Sequence, residues 1–140
     1  MIKNIAVVAH NKMKPALAAF LQERKDWLWG RKIIATGLTA DALVSADIDL
    51  DIMHLSEGKS GGYLELKKMV EEGEIAMVLY FRDSDLSQEY EDEVAAFINA
   101  CNRQNIPLAT NPASAELLIL GLIKKEAAEL IKSRTEADLS

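Results

Sequence analysis

Ile5-Ala-Val-Val-Ala-His-Asn-Lys-Met-Lys14 sets a pattern that the rest of the chain repeats, because a short apolar run stops there in polar residues and Pro15 then opens a helix. Ile5 to Ala9 is too short for a helix and is typical of a strand buried on both faces of a parallel sheet. The polar residues that begin at His10 therefore lie at the carboxyl edge of the predicted sheet, which is where open α/β sheets bind ligands. Asn11 is expected to cap the helix that follows.

Four further apolar segments end in polar residues in the same way, at residues 31–36, 48–54, 75–81 and 106–110. The segment at 75–81 is the most hydrophobic and is predicted to be the central strand. The segment at 48–54 alternates apolar residues with aspartates, which predicts an edge strand. Helical spacing follows each segment after a short connection. One helix is predicted from Gln88 to Arg103, and Asn111 is predicted to cap a helix with Pro112 at its first position. The sequence therefore predicts a doubly wound α/β sheet in a single domain over residues 1–140, with a helical C-terminal extension from about 124.

Composition excludes several classes of function. The chain has 140 residues and a net charge of −6, and the absence of a basic cluster argues against DNA or RNA as a partner. Its apolar runs are too short to cross a membrane, and its N-terminus lacks the pattern of a signal peptide, so we expect a cytoplasmic protein without a membrane partner. Cys101 lies in a helical apolar pattern and is expected to be a buried thiol rather than a nucleophile.

Two sequence features could carry chemistry. Leu55 to Tyr63 contains the glycine cluster of the chain and leads into a helix, which is either a seat for a phosphate or a flexible loop without a ligand. Asp83 follows the apolar segment at 75–81 and could be a base, a metal ligand or a helix cap. Because Ser87 is nearer the next helix, Asp83 is expected to be available for other work. Matching ligands at the other strand ends are lacking, so the sequence predicts neither a metal nor a cofactor.

Several segments together resemble the methylglyoxal synthase family, in order and at family-like spacing over about positions 3 to 120. These segments are Ile5 to Lys14, Ala-Thr-Gly-Leu-Thr at 35–39, Leu-Ser followed by Gly-Gly at 55–62, Glu-Gly-Glu-Ile at 72–75, Tyr-Phe-Arg-Asp at 80–83 and Ile-Pro-Leu-Ala-Thr-Asn at 106–111. The resemblance implies a three-layer α/β/α sandwich around a five-stranded parallel sheet, commonly a homohexamer. It also implies elimination of phosphate from dihydroxyacetone phosphate to give methylglyoxal. Some relatives only bind a ligand, as does the regulatory domain of carbamoyl phosphate synthetase.

The resemblance also implies a set of site residues. His10 and Lys14 match residues that contact the substrate, and Asp83 matches an acidic residue of the family site. Tyr63 occupies the position of the family's catalytic aspartate, and Tyr90 that of a histidine. The remaining matches are in the phosphate-binding and loop segments, namely Thr36, Gly37, Leu38, Thr39, Ser56, Gly61 and Gly62. Thr39 is in addition expected to cap the helix that begins there.

Three interpretations follow from this set of residues. In the first, the chain is a divergent enzyme with His10 as electrophile and Asp83 as a substitute acid/base. In the second, it is a sensor that binds a small phosphorylated metabolite or inorganic phosphate, and in the third an oligomer with an empty pocket. Tyr63 distinguishes the enzyme interpretation from the sensor interpretation, because a tyrosine with a reference pKa near 10 is a poor base at neutral pH. Loss of a general base costs on the order of 10² to 10⁴ in rate.

Overall fold

In the computed structural model the described residues are 4–86 and 91–139, and they form a parallel sheet between helices. The strands are β1 (Asn4–Ala9), β2 (Lys32–Ala35), β3 (Asp51–His54), β4 (Ile75–Phe81) and β5 (Leu108–Ala109). The helices are α1 (Lys14–Glu23), α2 (Lys25–Leu28), α3 (Gly37–Ser45), α4 (Gly62–Glu71), α5 (Glu91–Arg103) and α6 (Pro112–Leu139), with 3-10 turns at Asn11–Met13 and Gly58–Ser60.

The five strands are all parallel and lie in the order β3-β2-β1-β4-β5. The chain therefore first builds the sheet outward from β1 through β2 to β3. It then returns to the other side of β1 and continues through β4 to β5. The direction in which successive strands are added to the sheet reverses between β1 and β4, so a crevice forms outside the carboxyl ends of these two strands.

Side chains on alternate positions of each strand enter two separate cores. Ile5 and Val7 of β1 face α1, α3 and α6, whereas Ala6 and Val8 face α4 and α5. Strands buried on both faces need apolar residues at every position, which explains the continuous apolar runs of β1 and β4. Helices thus cover both faces of the sheet, and the predicted three-layer α/β/α sandwich with a five-stranded parallel sheet is confirmed.

Two strand predictions need correction. The predicted central strand, β4, has β1 and β5 as neighbours, and β1 is the strand in the middle. Hydrophobicity could not separate the two because both are buried on both faces. The predicted edge strand is at the edge, but it begins at Asp51 rather than Ile48 because Asp47 adopts a positive φ of 57° and turns the chain.

Two predicted helix caps are wrong. Thr36, not Thr39, is at the N-cap position of α3, and the Thr39 side chain is turned inward. Asn11 belongs to a 3-10 turn before α1, and its Oδ1 accepts a hydrogen bond from Lys14 Nζ at 2.7 Å. The cap that Asn111 was predicted to provide is confirmed, since its Oδ1 accepts the Ser114 N–H at 2.9 Å.

The other helix ends follow the sequence signals. Pro112 is the first residue of α6, Pro15 lies in the first turn of α1, and Gly73 follows the last turn of α4. The helix predicted from Gln88 is described from Glu91 onward, and its expected start at residues 87–90 lies outside the described residues. Among the helices of the described residues, none has the length and apolar character needed to span a membrane.

Candidate functional site

The topology brings the ends of β1, β2, β3 and β4 to one edge of the sheet. His10 N–H donates to the carbonyl of Phe81 at 3.1 Å, and Leu55 N–H donates to the carbonyl of Ala35 at 2.8 Å. His10, Thr36, Ser56 and Asp83 each follow one of these strands within two residues. The structure therefore places the predicted strand-end residues at the carboxyl edge, around the crevice between β1 and β4.

His10 is buried at this edge and held through both ring nitrogens. Its Nδ1 accepts the backbone N–H of Asp83 at 2.8 Å, so in the neutral ring the proton is on Nε2. Burial lowers the pKa of His10, and the Arg82 and Lys14 cations lower it further, while the Asp83 carboxylate opposes them. His10 is therefore a neutral imidazole that donates from Nε2 at neutral pH.

Two tyrosines extend from His10 Nε2 into the second core, and we call them, with His10, the tyrosine row. The Tyr80 hydroxyl lies 3.4 Å from His10 Nε2 and 3.0 Å from the Tyr63 hydroxyl. The two phenol rings stack with centroids 6.1 Å apart. Since Nε2 carries the proton, Tyr80 accepts from His10, and either hydroxyl can be the donor in the bond between Tyr80 and Tyr63. A hydroxyl bonded to Tyr80 therefore lies at residue 63, where the family resemblance implies an aspartate.

Cations surround His10 at the edge. Lys14 Nζ donates to the Ala9 carbonyl at 3.0 Å, and burial lowers the pKa of Lys14. Arg82 follows β4 directly, and its guanidinium lies 5.5 Å from the Tyr80 ring centroid. Lys14 and Arg82 both act electrostatically on His10, so they reach the same part of the edge from β4 and from the start of α1. This positive field favours an anion.

The start of α3 adds hydrogen-bond donors on the other side of β1. The first i to i−4 bond of α3 runs from Ala40 N–H to the Thr36 carbonyl at 2.8 Å, so the N–H groups of Leu38 and Thr39 precede it. The Gly37 N–H donates to the Ser56 carbonyl at 3.1 Å. The Thr39 hydroxyl accepts the Ala9 N–H at 3.1 Å and lies 3.3 Å from the Thr36 hydroxyl. Thr39 therefore ties the N-terminus of α3 to the end of β1.

The glycine loop is folded on itself. The N–H groups of Ser60 and Gly62 donate to the Glu57 carbonyl at 2.8 and 2.9 Å, and the Gly61 N–H donates to Gly58. These three donors point into the loop, so they are not the N–H groups that a phosphate seat would use. Gly62 has a different role, because a Cβ there would collide with the Ser56 carbonyl oxygen. The glycine lets α4 begin directly against Ser56.

Ser56 and Asp83 are also committed to local hydrogen bonds. Glu65 of α4 accepts both the hydroxyl and the N–H of Ser56, the latter at 3.0 Å. The Asp83 Oδ1 accepts the Asp85 N–H at 3.0 Å, and the Leu86 N–H donates to the Asp83 carbonyl. One Asp83 carboxylate oxygen therefore closes its own turn, which limits but does not remove the other work that the sequence predicted for this carboxylate.

Some residues of the site were missed by the sequence analysis, and one predicted residue cannot be placed. Tyr90 lies outside the described residues. Arg82, Tyr80 and Glu65 were not singled out, although Arg82 could have been found as the first polar residue after a buried strand. Tyr80 carries no such signal, since a tyrosine in an apolar run is normally a core residue. Glu65 contacts Ser56 only through the tertiary fold.

A second concavity and the single cysteine are unconnected with this edge. A cleft of about 610 Å³ opens at the amino edge of the sheet between Ile75, Asn105 and Leu122, away from the predicted site residues. Cys101 is fully buried against the sheet, and burial raises the pKa of its thiol to about 11. Cys101 is therefore protonated at neutral pH, and the prediction of a buried thiol is confirmed.

Comparisons with known proteins agree with this architecture. The family model for the MGS-like domain matches residues 17–110. The methylglyoxal synthase of Cupriavidus taiwanensis is 35% identical over 124 residues, which cover 89% of this chain and 92% of that protein. The methylglyoxal synthase of Borreliella burgdorferi is 41% identical over 122 residues, which cover 87% and 96%. The crystal structure of methylglyoxal synthase from Elizabethkingia anophelis NUHP1 matches with a TM-score of 0.76 at 31% identity, over 84% of this chain and 76% of that one. The chain therefore belongs to the methylglyoxal synthase-like family, as its sequence segments predicted.

Proposed function

We propose that this protein binds a small phosphorylated metabolite, dihydroxyacetone phosphate, at the carboxyl edge of its sheet and converts it slowly to methylglyoxal and inorganic phosphate in the cytoplasm. The observation that carries the proposal is the pair of cations, Lys14 and Arg82, beside a neutral His10 at the topological switch point. The names of the relatives supply the reaction. The slow rate follows from Tyr63.

The phosphate site combines charge with backbone donors. Burial destabilises the charged form of Lys14, and an anion bound beside the ammonium group would offset this cost. The early N–H groups of α3, at Leu38 and Thr39, lie beside the positive end of the helix dipole, which is the usual seat of a phosphate. Thr36 and Ser56 flank these donors at the neighbouring strand ends. A phosphate bound between Lys14 and α3 would thus lie against the end of β1.

The reaction needs a base to take a proton from the carbon beside the carbonyl, a donor to the enediolate oxygen, and a site that holds the phosphate as it leaves. We assign the donor role to His10, whose Nδ1 is occupied by the Asp83 N–H and whose Nε2 carries the proton, and the enediolate oxygen would replace the 3.4 Å contact of Nε2 with Tyr80. We assign the base to Asp83, whose backbone N–H donates to His10 Nδ1 and whose carboxylate acts electrostatically on His10, although one of its oxygens accepts the Asp85 N–H. A base with this constraint, and a hydroxyl at Tyr63, would give slow turnover.

The second candidate function is a sensor that binds the same metabolite without turning it over. The observation that favours it is the tyrosine row, which fills the position of the family's aspartate with a hydroxyl bonded to Tyr80. Binding through Lys14 and α3 would survive this replacement, whereas proton abstraction would not. The two functions share one site and differ only in chemistry.

Calorimetry and a turnover assay on the same preparation test both functions. Titration with dihydroxyacetone phosphate and with inorganic phosphate measures binding, and methylglyoxal formation measures catalysis. Lys14→Gln should weaken both ligands about tenfold or more, since a charge-assisted contact contributes about 1.5–3 kcal/mol. Lys12→Gln removes an exposed cation two residues away and is the matched control, which should bind as the wild type does.

The outcomes separate the alternatives. Binding that depends on Lys14 together with methylglyoxal formation supports the lyase. The same binding without any turnover establishes the sensor and refutes the lyase. Absence of binding to either ligand, or equal effects of Lys14→Gln and Lys12→Gln, refutes the site proposed here and favours an oligomeric relative with an empty pocket.

A further inference from the structure

Helix α6 extends well beyond the body that it packs against. It runs for 28 residues, from Pro112 to Leu139, yet its buried residues are Ala115 and Ile119 in the first third. Glu126 makes the last described contact with the body, a two-point ion pair with Arg31. The residues after Glu126 are exposed to the end of the helix, over roughly 20 Å at 1.5 Å per residue. Helices in water depend on packing of an apolar face, so this half is expected to have a partner.

A regular stripe of exposed residues lies about a quarter turn around α6 from the residues that face the body, and we call it the outer stripe. Its residues alternate at spacings of three and four along the helix and are exposed, and they are Glu116, Leu120, Ile123, Ala127, Leu130 and Arg134. Leu117 and Ile131 flank the stripe on one side, and both are more than 60% exposed. Spacings of three and four repeated in this way are the pattern of a helix that packs along another helix.

The outer stripe is complementary to a second copy of itself that runs in the opposite direction. When two copies of α6 are laid antiparallel about a point near Lys125, Leu120 faces Leu130, and Ile123 faces Ala127. On the flank, Leu117 then faces Ile131. In heptad terms, each a position of one helix faces a d position of the other, as antiparallel pairing of two helices requires. A contact between identical surfaces related by a twofold axis must have this symmetry, whereas a contact with an unrelated protein need not.

Charge selects the same arrangement. In the antiparallel register Glu116 of one copy faces Arg134 of the other at both ends of the stripe. In a parallel register Glu116 would meet Glu116 and Arg134 would meet Arg134, which repel each other. The like charges that meet in the antiparallel register lie on the two sides of the axis. They are the two Lys124 ammonium groups, whose long side chains can reach water, and the two Glu126 carboxylates, each of which is paired with Arg31 of its own chain.

We propose that the outer stripe of α6 binds a second copy of this chain, with the two α6 helices antiparallel about a twofold axis near Lys125. The occupant is a second copy because the stripe is complementary to itself in shape, apolar character and charge. The pairing covers the exposed leucines and isoleucines of α6 and gives the half of the helix beyond Glu126 the packing that the body does not provide. This inference is independent of the proposed function.

Sedimentation equilibrium of the full chain at micromolar concentrations tests the pairing. The wild type should have a mass that is an even multiple of 15.5 kDa. Leu120→Glu should reduce this mass by at least half, because each twofold contact contains the substitution twice. Glu116→Arg alone should weaken the assembly roughly tenfold, as two opposite-charge pairs become repulsive. Circular dichroism shows that each variant keeps its helices.

A charge exchange distinguishes antiparallel pairing of α6 from parallel pairing and from association through another surface of the chain. Glu116→Arg combined with Arg134→Glu restores opposite charges at both ends and should restore the wild-type mass. Lys132→Glu reverses a charge on α6 outside the stripe and should leave the mass unchanged. A monomeric wild type, a mass unaffected by Leu120→Glu, or a double exchange that does not recover from Glu116→Arg would each overturn the proposal.

Discussion

Tyr63→Asp is the substitution that most directly tests why this family member should turn over slowly. Tyr63 is 7% exposed, its hydroxyl lies 3.0 Å from that of Tyr80, and its ring contacts Tyr80 and Phe97. Replacing it by aspartate removes a buried ring, which typically costs about 3–5 kcal/mol of unfolding free energy. For a chain of this length we expect the melting temperature to fall by roughly 10 °C.

The same substitution should raise the rate of methylglyoxal formation. A carboxylate at residue 63 lies in the first turn of α4, where the helix dipole favours its ionised form, and it could take the proton that a neutral hydroxyl cannot. If it becomes the general base, the rate should rise on the order of 10² to 10⁴. The gain and the loss of stability are thus expected together.

The assay compares wild type, Tyr63→Asp and Tyr63→Asn side by side on dihydroxyacetone phosphate, below the lowest melting temperature of the three. Asparagine has nearly the size of aspartate and cannot accept the proton, so Tyr63→Asn should lose the same stability without gaining rate. Equal rates for the two variants would refute the reasoning. Rapid wild-type turnover that Asp83→Asn abolishes would also refute it, since the base would then already be efficient at Asp83.

Further expectations concern the fold around the site. Thr39→Val should lower the unfolding free energy by about 1–3 kcal/mol, because the buried Ala9 N–H loses its acceptor. Urea denaturation measures this loss, and Thr39→Ser, which keeps the hydroxyl, is the control. The lowered pKa of His10 means that the unfolded chain binds its proton first as the pH falls. The contribution of His10 to the unfolding free energy should therefore be fully present above about pH 6.5 and decrease as the pH falls from there towards the folded pKa. This pH dependence should be absent from His10→Gln. Gly58→Ala should cost about 1–3 kcal/mol in the wild type, because a Cβ would lie 2.6 Å from the Tyr63 ring, and close to nothing in the Tyr63→Asp background. Equal costs in the two backgrounds would show that the ring does not cause the effect.

Much of the fold followed from the sequence because strand and helix periodicities are local. The five apolar segments, the cap at Asn111 and the helix start at Pro112 are readable over a few residues each, and the structure confirms them. Strand order was less accessible, since β1 and β4 have the same apolar character and differ only in their neighbours. Short-range signals also misplaced the cap of α3, because the Thr39 hydroxyl bonds to Ala9, 30 residues away, instead of to its own helix.

The candidate site was predictable as a location and much less as a set of bonds. Parallel topology alone brings His10, Thr36 and Asp83 to one edge once the strands are known. Which groups remain available there depends on contacts between distant segments. Asp83 uses its carboxylate on its own turn, and Ser56 uses its hydroxyl on Glu65, so composition overestimated what these two residues could offer to a ligand.

Tyr63 is one part of a set of residues that contact one another. Its ring lies against Gly58, where even a methyl group would collide, and its hydroxyl is held by Tyr80, which is held in turn by His10. An aspartate at residue 63 is too short to make these contacts and would need neither a glycine at 58 nor a hydroxyl at 80. Because the three residues support one another, Tyr63→Asp alone would remove the hydroxyl that Tyr80 contacts and the ring that supports the loop at Gly58. The chain is therefore built to keep a phenol beside His10, and any carboxylate chemistry at this edge has to come from Asp83 or from outside the tyrosine row.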